Sequence, residues 1–160
     1  MMIFYKSLSL EEGFELAKID KNSRVVAGRE VSLAAGFKLF DTLHGLPIKC
    51  WQCGCEADQW ISCRGQNERS RPVLNLFATR HYKTKKRAAR LVMMTRDHII
   101  PKSLGGVDSV ENLRPGCELC NGRRGSNMSK ADILFMAVNP HLISQERLAC
   151  SRRLTEPVRC

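Results

Sequence analysis

No run of apolar residues in this 160-residue chain approaches the roughly 18 needed for a helix to cross a bilayer, since Lys, Arg, Asp or Glu recur throughout. A membrane protein spanning by helices is not expected. Residues 1–10 carry a single positive charge, Lys6, and serines interrupt their apolar positions, so a secretory signal peptide is not expected either. A soluble, cytoplasmic protein is therefore expected. The eight cysteines then read as thiols of a reducing compartment, where close pairs bind metal, rather than as a secreted disulfide scaffold. The chain is also too short for two large cores.

A formal net charge of +10 and an apolar fraction of 43% describe a globular domain whose partner is rich in phosphate. Affinity for such a partner should fall steeply with salt. The basic surplus is uneven. From Arg80 through Lys83, Lys85, Lys86, Arg87 and Arg90 to Arg96 there is no acidic residue, and His81 and Tyr82 add stacking or hydrogen-bonding capacity. Such a run is ordinarily a solvated face, and it becomes a phosphate footprint only beside a motif that handles nucleic acid.

Two helical patterns open the chain. Residues 8–19 place Leu10, Phe14, Leu16 and Ile19 among Glu11, Glu12, Glu15 and Lys18, and Ser9 followed by Glu12 fits a capping box. Residues 29–43 repeat the pattern with Val31, Leu33, Ala34, Phe37, Leu39 and Phe40, and Gly45 stands just beyond as a stop. Both are expected to be packing helices, and the acidic residues of the first argue against its lying along DNA. Gly45-Leu46-Pro47 marks the junction, giving a helical extension at 1–46, a central domain at 47–140 and a basic tail at 141–160, whose terminal stretch 151–160 is short of apolar residues and expected to be mobile. Within the centre, residues 73–79 and 91–94 read as strands. Residues 129–138 read as a helix entered through Ser129 or Asp132 and ended before Pro140.

Cys50-x-x-Cys53 and Cys117-x-x-Cys120 supply four thiolates, the closed tetrahedral set of a structural Zn²⁺ site. A thioredoxin-like redox pair expects one CxxC in a strand-helix-strand setting, and none surrounds Cys50. Cys55 is an alternative to Cys53 as a ligand. Cys63, Cys150 and Cys160 have no companion at ligand spacing, and His44 and His141 read as ordinary structural or surface histidines.

Between the knuckles and after the basic run stand Asp97-His98-Ile99-Ile100-Pro101, Gly105-Gly106, Glu111-Asn112-Leu113 and then Cys117-x-x-Cys120-Asn121 with Arg124-Gly125. In this order, with Asn112 fourteen residues after His98 and Asn121 nine further on, the set resembles the HNH endonucleases, in particular the zinc-knuckle type of phage and homing nucleases. The resemblance covers residues 48–128. It implies an α+β fold of the ββα-metal kind, two strands and a helix around one divalent ion, here stapled by a four-cysteine zinc site and preceded by a helical extension.

Hydrolysing a phosphodiester requires an activated water, a cation beside the phosphoryl oxygens and a group that positions the base. His98 is the candidate base, because an imidazole is available in neutral form near pH 7. Asp97 is a hard oxygen donor suited to Mg²⁺ or Mn²⁺, and Asn121 is the second ligand. Neighbours on a strand point to opposite faces, so Asp97 and His98 act together only if the strand ends or bends there. By resemblance, Asn112 braces the loop and orients His98. The family's last letter is histidine where this chain has Asn121, a variant whose carbonyl favours Mg²⁺. Arg123 and Arg124 are expected on the substrate backbone.

The sequence thus points to a metal-dependent endonuclease acting on double-stranded DNA, of phage or mobile-element type, that nicks or cuts both strands. A protein partner on the N-terminal helices is a further expectation. An RNase, or a zinc-stapled DNA- or protein-binding module without catalysis, stands as the alternative.

Overall fold

Ser9 sets the first helix. Its Oγ accepts the Glu12 N–H at 3.1 Å while Glu12 Oε2 accepts the Ser9 N–H at 2.7 Å, so two donors that a helix N-terminus leaves bare are satisfied reciprocally. The helix α1 follows at Leu10–Lys18. The computed structural model describes residues 2–19, 24–34, 36–64, 71–80 and 89–145. Their contacts fall into two units, one of residues 1–96 with 115–121 and one of residues 97–114 with 122–160.

In the first unit, β1 (Ile3–Leu8) pairs antiparallel with β5 (Gln59–Arg64), and β5 with β6 (Val73–Arg80). β6 pairs in turn with β7 (Arg90–His98), with Phe77 opposite Met93. The sheet order is β1-β5-β6-β7-β8, where β8 is Leu113–Cys117. The last residues of β7 and the first of β8 belong to the second unit. Strands on both sides of the junction expected at 46/47 share this sheet, since β1 pairs with β5 and Ser32–Leu33 with β6.

The helix expected over 29–43 is corrected. Val25–Val26 (β2) and Arg29–Glu30 (β3) form a two-stranded hairpin whose turn residues Ala27 and Gly28 both have positive φ, the geometry of a tight hairpin. Ser32–Leu33 (β4) then lies parallel to β6, and only Phe37–Thr42 (α2) is helical. β-Branched Val31 is fully buried in this extended stretch, a setting it suits better than a helix.

The core of this unit centres on Trp60, which is fully buried. Phe14 meets it edge-on at 5.4 Å and Phe40 at 6.3 Å, with Phe37 tilted at 5.7 Å. Helix α1 reaches this ring only because residue 13 is glycine, since a Cβ there would sit 2.0 Å from Trp60 Cδ1. Mid-helix glycine costs about 1 kcal/mol in backbone freedom, which the aromatic contact offsets.

In the second unit, α4 (Lys130–Val138) starts at Ser129, whose Oγ accepts the Asp132 N–H, while Asp132 Oδ2 accepts the Ser129 N–H. α3 (Glu118–Arg124) enters this unit with its last residues. The extended stretches expected over 73–79 and 91–94 appear as β6 and β7, and the helix over 129–138 as α4.

Candidate active site and metal centre

β7 ends at Asp97 and His98, and the chain then makes a loop back to Asn112. Asn112 closes that loop. Its Oδ1 accepts the Ile100 N–H at 2.8 Å, its Nδ2 donates to the carbonyls of Ile100 (3.1 Å) and Val107 (2.9 Å), and its own carbonyl accepts the Ile99 N–H at 2.8 Å. The side chain is fully buried, so each bond replaces water that cannot reach it. Gly106 is what lets the two arms of the loop approach: a Cβ there would lie 1.8 Å from the Ile100 carbonyl oxygen and 2.9 Å from Asn112 Nδ2. Asn112 therefore braces the backbone next to His98 and, among the described residues, bonds Ile100 and Val107 rather than the His98 ring.

The imidazole of His98 is 14% exposed, enough for water to reach it, and its Nε2 lies 2.8 Å from Asp108 Oδ1. The other oxygen of Asp108 accepts Lys102 Nζ at 2.5 Å.

Asp97 points the other way and is 2% exposed. Its Oδ1 accepts Arg124 Nη1 at 2.8 Å and its Oδ2 accepts Arg114 Nε at 3.0 Å. Both guanidinium groups continue to Asp132, Arg114 through 2.8 and 3.2 Å contacts and Arg124 through one of 3.3 Å. Two aspartates and two arginines thus form a closed, neutral ring with little access to water. As folded, Asp97 does not fit the open metal ligand expected of it, because two cations already neutralise a carboxylate that solvent barely reaches. Strand alternation explains the split, since β7 continues through both residues and sends Asp97 inward and His98 outward.

Arg124 is likewise corrected as a phosphate contact. Its side chain is 6% exposed, and its guanidinium also donates to the carbonyls of His98 (2.8 Å) and Ile99 (2.9 Å). Arg123, the preceding residue, is exposed.

In the first unit, the sulfurs of Cys50, Cys53, Cys117 and Cys120 all lie within 4.8 Å of one another, with Cys53 and Cys117 3.8 Å apart. Cys50, Cys117 and Cys120 are buried. Four soft thiols in this volume fit a tetrahedral Zn²⁺, and the set contains Cys53 rather than Cys55. The knuckle is shaped by backbone bonds from Gly54 N to the Cys50 carbonyl and from Cys50 N to the Cys55 carbonyl, both 2.9 Å. Burial pushes the Cys53 thiol up, but the Cys55 N–H and the surrounding thiols outweigh it and bring Cys53 down to about 6. Burial, with bonds from Cys117 and Cys53, holds Cys120 up at about 12. A thiolate at Cys53 near neutral pH gives a metal its first anionic ligand.

Asn121, also in the first unit, donates its amide to Thr95 Oγ1 (3.1 Å) and the Arg96 carbonyl (3.3 Å). Arg80 and Arg90 stand opposite each other at the end of the β6–β7 ladder. Lys83, Lys85, Lys86 and Arg87, with His81, Tyr82, Cys150 and Cys160, lie outside the described residues, as does the tail beyond residue 145.

Three residues of the second unit escaped the sequence reading in these roles: Asp108, Arg114 and Asp132. Asp132 was visible as a helix start, but nothing local marks any of them as partners of His98 or Asp97, which they meet only through folding.

No helix among the described residues is long and apolar enough to cross a membrane. No curated protein and no solved structure matches the chain. Residues 84–132, just under a third of the chain, match the family model described as HNH endonuclease. That span contains the Asn112-braced loop, His98 and the second Cys-x-x-Cys pair, and over it this chain is similar to the HNH endonucleases.

Proposed function

We propose that this protein is a metal-dependent endonuclease that hydrolyses DNA phosphodiester bonds, with His98 as the general base. The observation that carries the reading is the His98 ring, partly open to water and held at the end of a strand beside a loop that Asn112 locks. A rigid, water-accessible imidazole next to a fixed backbone is what proton abstraction from an attacking water requires. Dependence on Mg²⁺ or Mn²⁺ rests on the family resemblance, with the Asn121 carbonyl as the oxygen donor it puts forward, and not on Asp97. The resemblance also implies 5′ phosphate and 3′ hydroxyl ends and a phage or mobile-element setting. Zn²⁺ on the four cysteines has a structural part. Arg80, Arg90, Arg96 and Arg123, with the basic residues 83–87, are the groups we assign to double-stranded DNA.

The test is conversion of supercoiled plasmid by purified protein in Mg²⁺, beside His98→Ala and a chelator control. Nicked or linear product that disappears in both controls is expected. A plasmid left intact by wild type but shifted on a gel would overturn the catalytic reading in favour of a binding module, and cleavage of RNA alone would make the enzyme an RNase.

A further inference from the structure

We propose that Asp108 is a positioning residue that fixes the tautomer of His98, so that Nδ1 is the nitrogen that takes the proton. The inference rests on the reading of His98 as base and adds which atom acts and what selects it.

A neutral imidazole has one N–H and one bare nitrogen, and the partner of one decides the role of the other. Asp108 Oδ1 lies 2.8 Å from Nε2, and a carboxylate can only accept. Nε2 therefore carries the hydrogen and Nδ1 presents its lone pair. Asp108 is itself held: Lys102 Nζ donates to its other oxygen at 2.5 Å, and Asp108 follows Val107, whose carbonyl is tied to Asn112. In the step this serves, a water proton passes to Nδ1 as the water oxygen bonds to phosphorus. The bond from phosphorus to the 3′ oxygen breaks, and that oxygen keeps the electron pair and takes a proton from solvent. The Nε2–H bond to Asp108 persists and meets the imidazolium with a negative charge.

Asp108→Asn separates this role from a structural one, because it preserves shape. Lys102 requires an oxygen, so the amide must turn its NH₂ toward His98. Nε2 then accepts, and the hydrogen is driven to Nδ1. Ring ¹⁵N shifts of His98 at pH 8, assigned by difference with His98→Gln, should show an Nε2–H tautomer in wild type and an Nδ1–H tautomer in Asp108→Asn. Plasmid cleavage should fall roughly 100-fold or more in Asp108→Asn and only several-fold in Asp108→Ala, with unchanged melting and DNA affinity. Lys102→Met added to Asp108→Asn frees the amide to rotate and should restore the Nε2–H signature.

An Nδ1–H ring in wild type, or an Nε2–H ring in Asp108→Asn whatever its rate, overturns the proposal. If wild type fails to cut any nucleic acid, the base reading falls, while the tautomer measurement still decides whether Asp108 sets the ring.

Discussion

Asp132→Asn should cost about 2 kcal/mol of stability at pH 7, and the cost should vanish in acid. The Asp132 side chain is almost wholly buried, with Arg114 and Arg124 on its oxygens and the Ser129 N–H at 3.0 Å. Burial pushes its carboxyl up, but the Arg114 guanidinium and the Ser129 N–H prevail and hold it at about 2, against an ordinary 3.8. At 1.36 kcal/mol per pKa unit, that gap corresponds to about 2 kcal/mol. Because the folded value is the lower one, the contribution is complete above pH 3.8 and is lost as pH falls through 2, with roughly half gone by pH 3. The asparagine has no charge to lose, so urea unfolding of wild type and variant between pH 7 and pH 2.5 should show two curves that converge. Asp132→Ala strands two arginines as well and should cost about 3 to 5 kcal/mol. A pH 7 difference below about 0.5 kcal/mol, or one that stays constant into acid, would refute the assignment of this ring as a closed charge network.

Other perturbations have equally definite outcomes. Asn112→Ala removes three buried side-chain hydrogen bonds and should cost roughly 3 kcal/mol, read by denaturant unfolding, with loss of plasmid cleavage at temperatures where the variant is still folded. Purified protein should contain one zinc per chain by elemental analysis, and Cys117→Ser should reduce it to background and lower the melting temperature; zinc retained at full occupancy would exclude the four-thiol site. Gly13→Ala should cost about 1 to 3 kcal/mol by driving a methyl into Trp60, with a change in tryptophan emission that an exposed helical substitution would not produce.

What was legible in the sequence was local. The Ser9–Glu12 capping box needs only a three-residue spacing, and α1 begins where it places the helix; for α4 the sequence offered Ser129 or Asp132 as the start, and Ser129 is the cap with Asp132 completing a second box. The cysteine quartet was legible because ligand spacing is chemistry rather than topology. Residues 29–43 misled because Val31, Leu33, Phe37 and Phe40 satisfy a helical period and also a strand followed by a short helix; the turn at Ala27-Gly28 was the missed cue. β1 and β5 went unread for a similar reason, since IFYKSL and QWISCR gain their strand character from pairing with each other. The fate of Asp97 depended on Arg114 and Arg124, 17 and 27 residues away, and no adjacent residue announces them. Folding likewise hid Asp108, ten residues from His98, behind a loop that looked like a turn.

The Asn112 brace gives the chain an exchangeable cassette. The path from Ile99 to Val107 is held by backbone groups meeting one asparagine, with Gly106 as the position where a side chain would collide with that meeting. Ser103 and Leu104 are exposed on this frame, and neither side chain bonds to Asn112. Their identities can change, one at a time or together, while the scaffold beneath His98 stays as it is. Selection or design can thus vary what stands beside His98 without rebuilding what supports it.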